Sequence, residues 1–112
     1  MDTPSKIPFV SKKVDVLDQQ GNIIEKDDQG NIIEFSYKDY ALTVLRNPAE
    51  DIDPIKMEAL VSVIRLVKNL KPGEKAELDH SDWSTLKNAV ANFKTRMVDE
   101  DFSDFCKYVK EA

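Results

Sequence analysis

Few side chains in this chain could do chemistry. There is one histidine, His80, and one cysteine, Cys106. A thiol nucleophile needs a base within hydrogen-bond reach and a third group to orient that base. His80 falls in the first turn of a predicted helix among polar neighbours. Cys106 falls on an apolar helical face between Phe102 and Val109. The first therefore reads as a surface residue near a helix cap, and the second as a core thiol, which is the usual place of a free cysteine. Zinc needs about four Cys, His or carboxylate ligands at defined spacing, and one His with one Cys do not supply them. Calcium is the closer comparison, because acidic turns precede Gly-Asn-Ile-Ile twice. With Gly30 at the sixth position of a calcium loop the frame runs from Glu25 to Ser36. Its last position, which needs a bidentate Glu, is a serine, and its flanks read as strands rather than helices.

The paired carboxylates Asp51/Asp53, Asp79/Asp82 and Asp99/Glu100/Asp101 all stand at predicted helix starts. Capping and the positive end of the helix account for them there. The three glycines include no phosphate-cradling run before Lys-Ser or Lys-Thr. Tyr37 and Tyr40 could stack on a base, but Lys38 is nearly their only basic neighbour. No catalytic, cofactor-binding or metal-ligating residue is assigned, and the expectation is a protein that is not an enzyme and carries no cofactor.

The elements that must position these residues follow from periodicity and turn chemistry. Pro4 and Pro8 predict an extended lead-in over residues 1–11. Lys13 to Leu17 alternates as a strand. The segment DQQGNIIEK at Asp18–Lys26 then returns as DDQGNIIEF from Asp27, nine residues later. Each unit joins an Asp/Asn-flanked glycine turn to a β-branched pair. Two turns and three runs predict an antiparallel meander of about three strands over residues 12–36. From Ser36 the period changes. Ser36 and Asp39 form a capping signal, and Tyr37, Tyr40, Ala41, Val44 and Leu45 lie on one helical face.

An acidic linker over residues 46–53 leads to Asp53 as cap and Pro54 as first helical residue. Met57, Leu60, Val61, Ile64, Val67 and Leu70 line one face of that helix, and Val63 and Leu66 widen it. This predicts the central helix of the fold, although a helix so apolar around its girth could equally hide a dimer seam. Glu74 to Leu78 is a connection or a brief strand. Asp79 caps the next helix, whose face is Trp83, Leu86, Val90, Phe93 and Met97, with Trp83 read as core in preference to an interface anchor. A last short helix carries Phe102, Phe105, Cys106 and Val109. The class is α+β: a small N-terminal meander followed by three to four helices (residues 37–112) packed on it, in one domain spanning 1–112.

Charge narrows the partners. The formal net charge is −5. Residues 1–53 carry 6 Lys/Arg against 11 Asp/Glu, whereas residues 54–112 carry 10 of each. Binding a nucleic-acid backbone or an anionic membrane needs a clustered positive field. None is visible, so no nucleic acid and no membrane are expected. A single cysteine rules out an intramolecular disulfide, and no secretory or membrane-spanning run is apparent, so the expected setting is cytoplasmic.

The order of a Gly-turn strand unit (DQGNIIE), a short helix FSYKDYALTVL, a helix containing Lys56, and the stretch AELDHSDWSTLKNAV resembles small accessory proteins encoded by bacteriophages and prophages. The resemblance covers about residues 14–98. It implies phage particle assembly, or action on a host component, and hence a location in host cytoplasm or virion. It brings no functional residue with it. The function expected is that of a protein–protein interaction protein, a tail or head accessory or an assembly chaperone. The alternative is a small acidic inhibitor or regulator of a host enzyme. The partner is a protein, from phage or host, and a homo-oligomer is open. The candidate interaction surface is Asp15, Asp18, Glu25, Asp27, Asp28 and Glu34.

Overall fold

The duplicated turn sequence folds into duplicated geometry. In the computed structural model, which describes residues 6–96 and 98–112, Gly21 N–H donates to Asp18 O at 3.1 Å and Gly30 N–H to Asp27 O at 3.0 Å. The two glycines have φ of +85° and +83°, which residues with a Cβ rarely adopt. Asp18 Oδ1 accepts from the N–H groups of Gln20 and Asn22, and Asp27 Oδ1 accepts from those of Gln29 and Asn31, all at 2.9 Å. Each turn is thus locked by its own aspartate.

Between the turns the pairing is sparse. Strand β2 (Val16–Leu17) pairs antiparallel with β3 (Ile23–Ile24). Beyond it are only the isolated bridges Lys26↔Ile32 and Lys13↔Ser36. The expected three-run meander is a two-residue ladder with bridges, and no residue from 15 to 35 is buried. It forms an arm. The radius of gyration of 15.2 Å, against about 13 Å for a compact chain of this length, fits an arm standing off a smaller body.

The sheet that the helices cover is a different one. Strand β1 (Ile7–Val10) pairs antiparallel with β4 (Lys75–Leu78), in register from Ile7↔Leu78 to Val10↔Lys75. Residues 7–10 of the extended lead-in are therefore a paired strand, and the C-terminal part is not purely helical. Residues 1–5 lie outside the described residues. Pro8 suits an edge strand, because it has no N–H to leave unpaired. The outer side of β1 is closed by side chains. Tyr108 Oη accepts from Val10 N–H at 2.9 Å and donates to Pro8 O at 3.4 Å. The Trp83 indole N–H donates to Ile7 O at 2.9 Å and ties α3 to the start of the strand. An edge covered in this way is not free to pair with another chain.

Four helices complete the body: α1 (Tyr37–Arg46), α2 (Pro54–Val67), α3 (His80–Asn92) and α4 (Glu100–Glu111). Their starts follow the predicted capping. Asp53 Oδ1 accepts from Lys56 N–H at 2.8 Å with Pro54 first in the helix. Asp79 and Asp82 form a reciprocal capping box. Asp99 Oδ1 accepts from Asp101 and Phe102 N–H.

The start of α1 depends on a residue far away in sequence. Ser36 N–H donates to Asp39 Oδ2 at 2.9 Å, as the local motif predicts. Lys38 N–H donates to Ser11 Oγ at 3.0 Å, and Ser11 Oγ donates to Ser36 Oγ at 2.6 Å. Both serines are fully buried. Ser11→Ala leaves a buried hydroxyl and a helix-start N–H without partners, and is expected to cost about 1–3 kcal/mol. The exposed Ser81→Ala is expected to change stability by less than about 0.5 kcal/mol. Urea unfolding of the two variants checks the contrast.

The core is aromatic. Phe9, Tyr37, Tyr40, Trp83 and Phe105 are buried within it, with Leu45, Val44, Leu78, Leu86 and Val109 between them. Phe9 lies among Trp83, Phe105 and Tyr108, and Tyr37 and Tyr40 meet Phe105 from α1. Trp83 is core, as its helical register predicts. Helix α2 packs against α1, α3 and β4 but is covered on one side alone. Only Val63 and Val67 are buried on it, and Met57 and Leu66 are exposed. Helix α3 ends at Asn92, before the expected end of its face. Phe93 leaves in extended conformation and sets its ring 5.5 Å from that of Phe102. Met97 lies outside the described residues.

Candidate interaction surface

The six carboxylates assigned from the sequence all lie on the arm, but they do not act alike. Asp18 and Asp27 are committed to their turns through the hydrogen bonds above. Asp15, Glu25, Asp28 and Glu34 are exposed. Among the described residues none of these four accepts a hydrogen bond within the chain, and the one ion pair is Lys38–Asp39. Residues 15–34 hold these six carboxylates against a single lysine, Lys26. Four free negative groups on a projecting element make a field that a basic surface would meet.

The arm also turns apolar side chains outward, which sequence reading did not assign. Leu17 is 55% exposed, Ile23 59% and Ile32 73%. The duplication sets the pattern: in each Ile-Ile pair the first isoleucine is exposed and the second, Ile24 or Ile33, is half-buried. The signal was present in the alternation of a strand, but the choice of face depends on what the arm packs against. Both isoleucines of each pair, with Val14 and Val16, line an open concavity of about 320 Å³. That is near the lower bound of small-ligand pockets.

The hydrogen bonds to Asp27 hold its carboxyl below the ordinary value of 3.8, with the Asn31 N–H as the largest cause. A depressed carboxyl contributes stability that is whole above 3.8 and is lost as pH falls through the lower folded value. The second turn is therefore expected to loosen only in strong acid. In a pH series of amide spectra the Asn31 and Gln29 N–H signals should move together below pH 3.8, and Asp27→Asn should abolish that step.

The remaining chemical groups sit elsewhere. His80 is exposed at the first position of α3. Cys106 is half-buried at the edge of the core rather than inside it, and burial raises its thiol above the ordinary value, with Lys110 opposing. Asp79 is lowered, chiefly by the Asp82 N–H, and Asp82 is raised, chiefly by burial. Their separation has a structural cause, the capping box, and neither lines either of the two best-formed concavities. Tyr40 Oη donates to Asp99 Oδ2 at 3.0 Å, so the cap of α4 is also tied to α1, and burial with this bond raises the tyrosine. Ser36, the last position of the calcium-loop frame, is buried beneath Ser11. Among the described residues no three His, Cys, Asp or Glu side chains are placed to hold a metal ion.

The chain matches no known protein family, no characterised protein and no solved structure. Among the described residues, no helix is long and apolar enough to cross a membrane.

Proposed function

We propose that this protein works without catalysis, as a protein–protein interaction module in bacteriophage virion assembly, in the manner of a tail or head accessory. The observation that carries the reading is the arm. None of residues 15–35 is fully buried, yet two aspartate-locked turns hold them in shape. They offer four free carboxylates around exposed Leu17, Ile23 and Ile32. Apart from Phe35 at its base, which packs against the core, an ordered element that adds so little to the core is explained by what it contacts. The resemblance of the sequence to phage accessory proteins supports the setting.

A second reading, a small acidic inhibitor or regulator of a host enzyme, is favoured by the concentration of free carboxylates on one arm, since such a surface suits a basic active-site rim. The test is capture on the immobilised protein from cells making the particle and from uninfected host cells, with the bound protein identified. The proposal expects a particle structural protein, bound less tightly as salt is raised. A host enzyme bound and inhibited instead selects the second reading. Turnover of phosphoester, glycoside or peptide substrates that is lost on replacing a carboxylate would overturn both.

A further inference from the structure

Helix α2 keeps a stripe of apolar and small residues turned to solvent. At about 100° per residue, Ile55, Ala59, Ser62 and Leu66 fall along one side of the helix. All four are exposed, Ile55 at 79% and Leu66 at 42%. Their 4-3-4 spacing is that of a seam between packed helices. The chain itself does not use this seam, because α2 turns Val63 and Val67 inward instead.

The stripe is complementary to itself. Turned end for end about a point between Leu60 and Val61, Ile55 comes opposite Leu66 and Ala59 opposite Ser62. Small residues then meet at the centre, where the helices can approach closely, and large ones close the ends. Glu58 and Arg65 lie two helical turns apart along one flank of the stripe, and both are exposed. Among the described residues the only ion pair is Lys38–Asp39, so neither is paired with any of them. In the reversed copy Arg65 arrives beside Glu58, and Glu58 beside Arg65, giving two pairs of opposite charge. A parallel arrangement puts the two flanks on opposite sides of the helix pair and forms neither.

We propose that α2 pairs antiparallel with α2 of a second copy of this chain, giving a twofold-symmetric dimer with Ile55/Leu66 and Ala59/Ser62 contacts and reciprocal Glu58–Arg65 ion pairs. One patch meets itself, so the assembly closes at two copies. The inference is independent of the function proposed for the arm, since none of the six arm carboxylates takes part. A four-residue seam is small beside a standard interface of about 800 Å² per partner, so the expected dissociation constant is micromolar.

Sedimentation velocity on the full chain, from low micromolar to near-millimolar concentration, tests this. The expected result is a reversible monomer–dimer equilibrium. Glu58→Arg and Arg65→Glu each set like charges opposite one another and should weaken the dimer by about tenfold or more. An equimolar mixture of the two variants restores opposite charges at both pairs and should return association to within about threefold of the starting protein. Ala59→Arg places a long cation at the centre of the seam and should leave monomer only. All substituted sites are exposed, and an unchanged far-UV circular dichroism spectrum confirms the fold. A strict monomer throughout, an assembly larger than two, or a dimer indifferent to these substitutions overturns the proposal.

Discussion

Replacing Phe9 with alanine is expected to cost about 3–5 kcal/mol of folding stability. The ring is fully buried, with centroids 6.0 Å from Trp83, 6.5 Å from Phe105 and 6.0 Å from Tyr108. Its removal empties the space between β1, α3 and α4, and elements held by the Trp83 and Tyr108 hydrogen bonds cannot close that space without breaking them. Domains of this size are stable by only about 5–15 kcal/mol, so the variant is expected to lose a large share of its stability. Phe9→Leu keeps most of the volume and should lose less than about 1.5 kcal/mol. Urea unfolding followed by tryptophan fluorescence checks both, since Trp83 reports on the same contact. A loss below about 1 kcal/mol for Phe9→Ala would mean that β1 is not docked as described.

Reversing the four free carboxylates of the arm together, by Asp15→Lys, Glu25→Lys, Asp28→Lys and Glu34→Lys, is expected to weaken partner binding by about two orders of magnitude or more. Like charges would then meet across the contact, and the long-range attraction that speeds encounter would become repulsion. The loss should appear first in the association rate, and raised salt should reduce the difference from the starting protein. Asp18 and Asp27 are left out because their oxygens hold the turns, so changing them would confuse binding with folding. Ile23→Ser with Ile32→Ser tests the apolar part of the same surface and should slow encounter little while speeding dissociation. Binding kinetics of the purified partner on each variant, with unchanged circular dichroism, make the measurement. Undiminished binding by the four-lysine variant would remove the arm from the account.

What could be read from the sequence was local. Asp18 and Asp27 sit within four residues of everything they bond, so composition around Gly21 and Gly30 was enough to predict both turns. The same holds for Asp53 with Pro54, for Asp79 with Asp82, and for Asp99. The pairing of Ile7–Val10 with Lys75–Leu78 joins opposite ends of the chain, and no window of sequence contains it. Pro8 also argued against a strand until its outward-facing edge position was known. Ser11 looked like any loop serine, because the helix start that it completes lies on the far side of the meander. Helix α2 was placed at the centre because hydrophobic periodicity fails when a helix is apolar nearly all round. The pattern was real, but it recorded two faces, one turned to α1, α3 and β4 and the other to solvent. The candidate site was legible as charge and only half legible as geometry. The sequence placed the carboxylates, and the structure divided them into two that build the turns and four that are free, with Leu17, Ile23 and Ile32 beside them.

The central claim is that the arm is the part of the molecule that meets its partner. Amide hydrogen exchange, compared between the free protein and its complex, tests it most directly. Exchange is expected to slow over residues 15–34 on binding, at Leu17, Ile23 and Ile32 above all, with the β1–β4 sheet and the buried faces of α3 and α4 unchanged. Slowing confined to the helices, with the arm exchanging as fast in the complex as alone, would contradict it.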